Sequence, residues 1–238
     1  MLGPFQVLKP PITLRPKPPP RSGAEVAPVA WWKFDEQGGT NAANAAGAGL
    51  VGRIHGETRW APADGRHEGA LELDGQHNWI ECAESTDLDL RDGLSISVWI
   101  KPRELPDGGD TLIAKGEAWA LQRSNRTGQL EFTLSGPQAA SPARSNELRL
   151  VSKQPLTNLQ WHHVAAVYDG KRIALYIDGA EQDAVRASGP IALNNLPVTI
   201  GGNAANRANR WHGWLDEVRL FDRGLSAEEI KLLHGGGL

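Results

Sequence analysis

The chain has 238 residues, 40% of them hydrophobic and 22% charged, with a net charge of −3. That is enough apolar material to bury the core of one large domain, and it excludes a disordered chain. No basic stripe is present to track a phosphate backbone, which excludes nucleic acid as a partner. No run of about 18 apolar residues exists, so no stretch reads as a membrane-spanning helix.

Residues 1–28 carry 8 of the 16 prolines, including Pro18-Pro19-Pro20, and four Lys/Arg against one acidic residue. Such a segment cannot bury a core; it reads as an extended linker. Met1 to Pro11 lacks the charged start and unbroken apolar run of a signal peptide. This leaves either a protein that stays inside or a piece of a longer exported one. The globular part is expected over residues 29–234, with 235–238 as a tail.

Val29 to Phe34 reads as an edge strand. The Ala-, Gly- and Asn-rich segment up to Gly56 reads as a loop with one short strand. Trp60 to Pro62 opens another strand. Ala70 to Asp74 and Trp79 to Cys82, joined at Gly75, read as a hairpin. Cys82, the single cysteine, is expected to be a buried strand residue; the sharper alternative is an intermolecular bridge. Leu94 to Pro102 has the cleanest alternation in the chain. Ile96, Val98 and Ile100 face one way, and Ser95, Ser97, Trp99 and Lys101 the other.

Short strands follow near Thr111–Lys115, Trp119–Arg123, Gln129–Ser135 and Glu147–Ser152, with 136–146 as loop. Trp161 to Gly179 is a hairpin around Asp169-Gly170, because a tight primed turn needs φ > 0. Neither face of its first arm is polar, so that arm belongs in the middle of a sheet covered on both sides. Further strands are expected near Val185, at Val198–Gly201 and from His212 to Phe221. The one convincing helix is Ser226 to Leu233, where Ser226 and Glu229 form a capping box.

Seven blocks occur in order: W-K-F-D-E-Q-G-G, G-A-L-E-L-D-G, G-L-S-I-S-V-W-I-K-P, W-H-H-V-A-A-V-Y-D-G, L-Y-I-D-G, V-T-I-G-G and G-W-L-D-E-V-R-L-F-D-R-G-L-S-A-E-E-I. Together, over residues 30–233, they resemble the laminin-G-like domain of the concanavalin A-like lectin/glucanase superfamily. The resemblance implies an all-β jelly-roll sandwich of two antiparallel sheets with one short C-terminal helix. It implies a binding or adhesion module of a longer exported, periplasmic or surface-attached chain. The partner would be a glycan or a glycoprotein.

Some jelly-roll relatives hydrolyse glycosides with two carboxylates on one strand face. Glu72-Leu73-Asp74 begins such a motif, but Gln76 and His77 stand where the second Glu should be, so the chain reads as non-catalytic. His162 and His163 are adjacent on a strand and point to opposite faces, which disfavours a shared metal.

Nine tryptophans against two tyrosines is an unusual ratio. Loop-flanking tryptophans can stack on sugars, and the loop from Asn203 to Arg210 is rich in amide and guanidinium donors. The ligand site is therefore placed at Trp119, Arg123, Asn203, Arg207 and Arg210. The plain alternative is a solvated loop. The resemblance also implies a structural calcium ion, held by Asp35, the carbonyl of Gly75 and Asp216; the alternative is that Asp216 accepts hydrogen bonds from backbone amides and Asp35 caps a turn. Asn44 departs from the Asp often found in relatives.

Overall fold

The computed structural model describes residues 27–47, 49–104, 110–124, 127–139, 147–156, 158–206 and 209–237. The linker expected over 1–28 lies almost wholly outside the described residues. The strands in chain order are β1 (Ala30–Trp32), β2 (Asn41–Ala42), β3 (Gly52–His55), β4 (Arg59–Ala61), β5 (Ala70–Asp74) and β6 (Trp79–Cys82). Then come β7 (Leu94–Pro102), β8 (Asp110–Lys115), β9 (Trp119–Arg123), β10 (Gln129–Ser135), β11 (Gln138–Ala139) and β12 (Glu147–Pro155). The last are β13 (His162–Tyr168), β14 (Arg172–Ile177), β15 (Ala180–Ser188), β16 (Thr199–Ile200) and β17 (His212–Phe221), followed by helix α1 (Ala227–His234).

These strands form two antiparallel sheets, the sandwich that the resemblance implies. One is nine-stranded, in the order β11-β15-β14-β13-β7-β17-β5-β4 with β1 also on β17. The other is eight-stranded, in the order β12-β10-β9-β8-β16-β6-β3-β2. The inward faces alternate as the sequence dictates. Ile96, Val98 and Ile100 of β7 and Val164, Ala166 and Tyr168 of β13 sit in the core between the sheets.

The opposite face of β13 is covered too, as its sequence requires. Ala165 and Val167, with Ala174 and Tyr176 of β14, pack beneath Ile230 and Leu233 of α1. The helix starts where the capping box puts it: Ser226 Oγ accepts from the Glu229 amide at 3.2 Å, and Glu229 Oε2 accepts from the Ser226 amide at 2.7 Å. Cys82 is buried in β6, and burial pushes its thiol far above the usual range.

One expectation fails. β5 and β6 are not a hairpin: β5 pairs with β4 and β17, whereas β6 pairs with β3 and β16 in the other sheet. The connecting turn crosses between layers. Asp74 holds it, with Oδ1 accepting from the Gln76 and His77 amides at 2.8 Å each. The segment up to Gly56 holds two short strands, β2 and β3, rather than one. β11 adds a strand at the start of the predicted 136–146 loop.

Candidate functional site

Trp79 and Glu81 alternate with the core residues Ile80 and Cys82, so they point outward from the eight-stranded sheet. His55, directly opposite Trp79 on β3, stacks on the indole with centroids 4.5 Å apart and planes 6° apart. From the β8 side, where Arg210 bridges to Thr111, the Arg210 guanidinium lies 4.0 Å from the indole centroid. Trp79 is thus wedged between two flat polar groups and presents its edge to solvent.

Next to it is a recess of about 60 Å³ lined by Trp79, Glu81, Thr199, Gly202, Asn203, Ala204 and Arg210. Asn203 is fixed at its rim. Its Nδ2 donates to the Gly116 carbonyl at 3.0 Å, and its Oδ1 accepts from the Ala205 amide at 2.9 Å. Amide, carboxylate, hydroxyl and guanidinium groups therefore surround one aromatic edge. The recess is small, and what it offers is hydrogen-bonding groups for a single polar substituent at the indole edge.

The structure brings together only part of the ligand set expected from sequence. Asn203 and Arg210 share the recess, and Arg207 lies outside the described residues. Trp119 and Arg123 do share one face of β9, but that face is the inner one, with exposures of 1% and 2%. Trp119 packs in the core. Arg123 donates from Nε to Asp110 Oδ2 at 2.9 Å and from Nη1 to the Glu104 carbonyl at 3.0 Å, with its guanidinium 5.2 Å from the Trp211 ring. Neither residue can meet a ligand. The tryptophan that accompanies the loop is Trp79, missed because W-I-E-C reads as an ordinary strand. Its outward position was legible from the alternation with Ile80 and Cys82.

A second constellation lies on the nine-stranded sheet. Asp216 is fully buried; its Oδ2 accepts from the His67 amide at 2.8 Å, while Oδ1 has no partner. Burial, reinforced by the nearby charges of Glu217 and Asp35, pushes its carboxyl up to about 8 against the pull of the His67 amide. Asp35 Oδ1 accepts from the Gly69 amide at 2.9 Å. Gly69 must be glycine, because a Cβ there would stand 2.6 Å from the Phe34 carbonyl. Phe34, Glu68 and Glu217, the neighbours of these groups, all have φ between 54° and 61°, and β17 carries its bulge between Asp216 and Arg219. Left-handed residues of this kind cost energy and collect at functional sites.

Gly75 does not join them. Leu71 pairs with Leu215 and Asp74 with His212, so Gly75 lies about five residues, or about 16 Å, down the strand from the level of Asp216. Asn44 Oδ1 accepts from the Trp31 and Ala46 amides at 2.8 and 3.1 Å, which makes it a turn-forming residue. Among the described residues no three His, Cys, Asp or Glu side chains converge as a metal cluster.

A family model described as the concanavalin A-like lectin/glucanases superfamily, of the laminin-G type, matches residues 74–231, more than half of the chain. The chain belongs to this family. A curated relative, the basement membrane-specific heparan sulfate proteoglycan core protein of Mus musculus, is 33% identical over 70 residues. Those residues are 29% of this chain and 2% of that protein. Domain 4 of AbnA, a GH43 extracellular arabinanase from Geobacillus stearothermophilus solved with arabinotriose, superposes with a TM-score of 0.67. It is 20% identical, and the match covers 87% of this chain and 98% of that one. The receptor-binding domain of the botulinum neurotoxin C/D mosaic serotype gives a TM-score of 0.68 at 16% identity, over 88% of this chain and 51% of the other. This laminin-G-like chain thus spans about half of the toxin domain.

Within this laminin-G-like sandwich, the carboxylates that open a hydrolase-like motif are already engaged. Glu72 accepts from Arg59 at 3.2 Å and from Arg103 at 2.9 Å, and Asp74 holds its turn. His162 Nδ1 lies 2.8 Å from Asp178 Oδ2, and His163 Nε2 lies 2.9 Å from Ser97 Oγ. The two adjacent imidazoles go to separate partners.

Proposed function

We propose that the chain is a non-catalytic module that binds carbohydrate, free or on a glycosylated partner, at the recess beside Trp79. The observation that carries this reading is the rigid stack of His55, Trp79 and Arg210 with Asn203 and Glu81 at its edge. Asn203 and Arg210 are the contacts retained from the sequence. The likeness to a domain solved with arabinotriose supports the carbohydrate reading. The engaged state of Glu72 and Asp74 favours binding without cleavage. The small share of the proteoglycan that the chain spans favours a role as one module of a longer extracellular or surface protein. No helix of the described residues is long and apolar enough to cross a membrane.

A glycan array, followed by calorimetry on any hit, tests the reading. A neutral or acidic oligosaccharide should bind, and Arg210→Ala with Asn203→Ala should weaken it about tenfold or more, the loss of one or two good hydrogen bonds. Silence across glycans would leave a structural or protein–protein adhesion module as the better reading.

A calcium ion is a second element of the proposal. The orphaned Oδ1 of Asp216, the facing carboxylate of Asp35 and the strained loops around them suit a hard cation. Calcium takes six to eight oxygens, so backbone carbonyls and water would complete the set. In this role the ion would neutralise two carboxylates and fasten the Asp35 and His67 loops to β17.

A further inference from the structure

We propose that α1 is an acid-released latch: proton uptake by His163 of β13 frees the last turn of the helix from the sheet while the sandwich stays closed. This device depends neither on the recess at Trp79 nor on a calcium ion. His163 shares the face of Ala165 and Val167, which pack beneath α1, and stands directly opposite Trp99 of β7. The imidazole is fully buried. Its Nε2 lies 2.9 Å from Ser97 Oγ, and its Nδ1 has no partner. His234, the last residue of α1, closes over it. The His234 ring lies 5.9 Å from that of His163 and stacks on Trp99 at 5.5 Å, with planes 25° apart.

The two ends of α1 are held differently. At the start the Leu225 amide donates to Ser95 Oγ at 2.9 Å, the capping box closes, and Arg223 donates to both oxygens of Glu229 at 2.7 and 3.0 Å. The last turn meets the sheet through the rings around Trp99 and through Leu233, and such packing is non-directional. The end that covers His163 is therefore the end that can lift while the other stays tethered.

A proton on His163 would meet mostly positive neighbours. His234 faces it from α1, with Lys231 in the same last turn, and Arg219 faces it from β17. The loop before β5 brings His67, its ring 6.0 Å from Trp99, and Arg66, its guanidinium 4.6 Å from the same ring. Asp178, in the turn between β14 and β15, is the acidic group whose charge reaches His163. Its oxygens are spent, Oδ1 on the His163 amide at 2.9 Å and Oδ2 beside His162 Nδ1 at 2.8 Å. On β17, Glu217 is paired with Arg219, and Asp216, opposite Trp99, holds its proton up to about 8.

Burial, and then the charges of His234 and Arg219, keep the docked imidazole down at about 3. Once the last turn lifts, water reaches the ring and its proton affinity returns toward the ordinary value near 6.5. The lifted form binds more protons, so lifting is favoured as pH falls from about 6.5 toward 3. Between pH 7 and pH 4.5 the opening equilibrium should rise about a hundredfold from this residue alone. A proton on His234 by itself suits a helix C-terminus; the charge beneath it is what ejects the turn.

Hydrogen exchange read by mass spectrometry on the whole chain, in chelator, at pH 7 and pH 4.5 with intrinsic rates corrected, tests this. Protection of residues 227–237 should fall about a hundredfold while that of residues 94–102 holds. H163L should cut the change to about threefold or less. H163Q, which keeps a polar partner for Ser97, decides should H163L fail to fold; should neither fold, the contrast between the two segments in the natural chain decides. D216N should keep the full change. Unaltered protection of 227–237 at pH 4.5, or an equal loss over 94–102, would overturn the proposal. So would the full change in a folded His163 variant, or its disappearance in D216N, since either assigns the proton elsewhere.

Discussion

Arg123 donates from Nε to Asp110 Oδ2 at 2.9 Å in a place where the two residues are 2% and 6% exposed. The pair closes the core end of β8 and β9 beneath Trp211. Burial pushes the Asp110 carboxyl up, and the Arg123 charge only partly offsets it. Removing one partner strands the other charge, which typically costs about 3–5 kcal/mol. Arg123→Ala and Asp110→Ala should each lower the urea midpoint accordingly, and at a temperature where both are folded neither should change glycan affinity.

Trp79 is expected to contribute to both stability and binding. Trp79→Ala removes a cation–π contact and a ring stack, each worth about 1 kcal/mol. Urea titration should show a loss of about 2 kcal/mol. Trp79→Phe should recover most of it, because a flat ring still fits between His55 and Arg210.

His163 sets a pH limit. Burial, and then the nearby charges of His234 and Arg219, drive its imidazole down to about 3, whereas the unfolded chain titrates near 6.5. The unfolded state therefore gains a proton that the folded state refuses, and stability is lost as pH falls from about 6.5 toward 3. By pH 5 the loss from this residue is about 2 kcal/mol. In His163→Leu, stability between pH 7 and pH 5 should be flatter by about that amount, read from urea midpoints; an unchanged slope would refute the assignment.

Calcium, if it binds as proposed, binds the folded state alone and must raise Tm with its concentration. At one hundred times its Kd the gain is about 2.7 kcal/mol. Calorimetric scans in chelator and in millimolar calcium should differ for the natural chain and coincide for Asp216→Asn. Identical Tm values for the natural chain would remove the ion from the account.

Ser226→Ala should cost about 1 kcal/mol, the usual worth of an N-cap. Its first effect is fraying of α1, so amide exchange at Leu232 and Leu233 should quicken before the rest of the sheet responds.

Much of the sandwich was legible because its signals are local. The alternation in Leu94–Pro102, the Asp169-Gly170 turn and the Ser226 box each operate within a few residues. The failures concern distance. Asp74-Gly75 has hairpin chemistry, yet β5 and β6 separate into different layers, and only the partners β17 and β3 decide that. Trp119 and Arg123 were rightly placed on one face, but period 2 does not say which face of β9 meets the core. Gly75 was placed beside Asp216 by resemblance, and the β5–β17 register puts it at the other end of the strand. Asp216 itself was legible, as a carboxylate on a strand between Trp214 and Val218.

The position of β17 has a kinetic consequence. It fills the slot between β7 and β5 and also carries β1, so elements some 190 residues apart in sequence meet only through it. On the ribosome the nine-stranded sheet stays open until Phe221 has left the exit tunnel. Until then β5 and β7 hold bare, apolar edges that invite pairing with other chains. A nascent chain stalled before residue 212 should be bound by chaperones and cut by protease, and one stalled well beyond Leu233 should resist both.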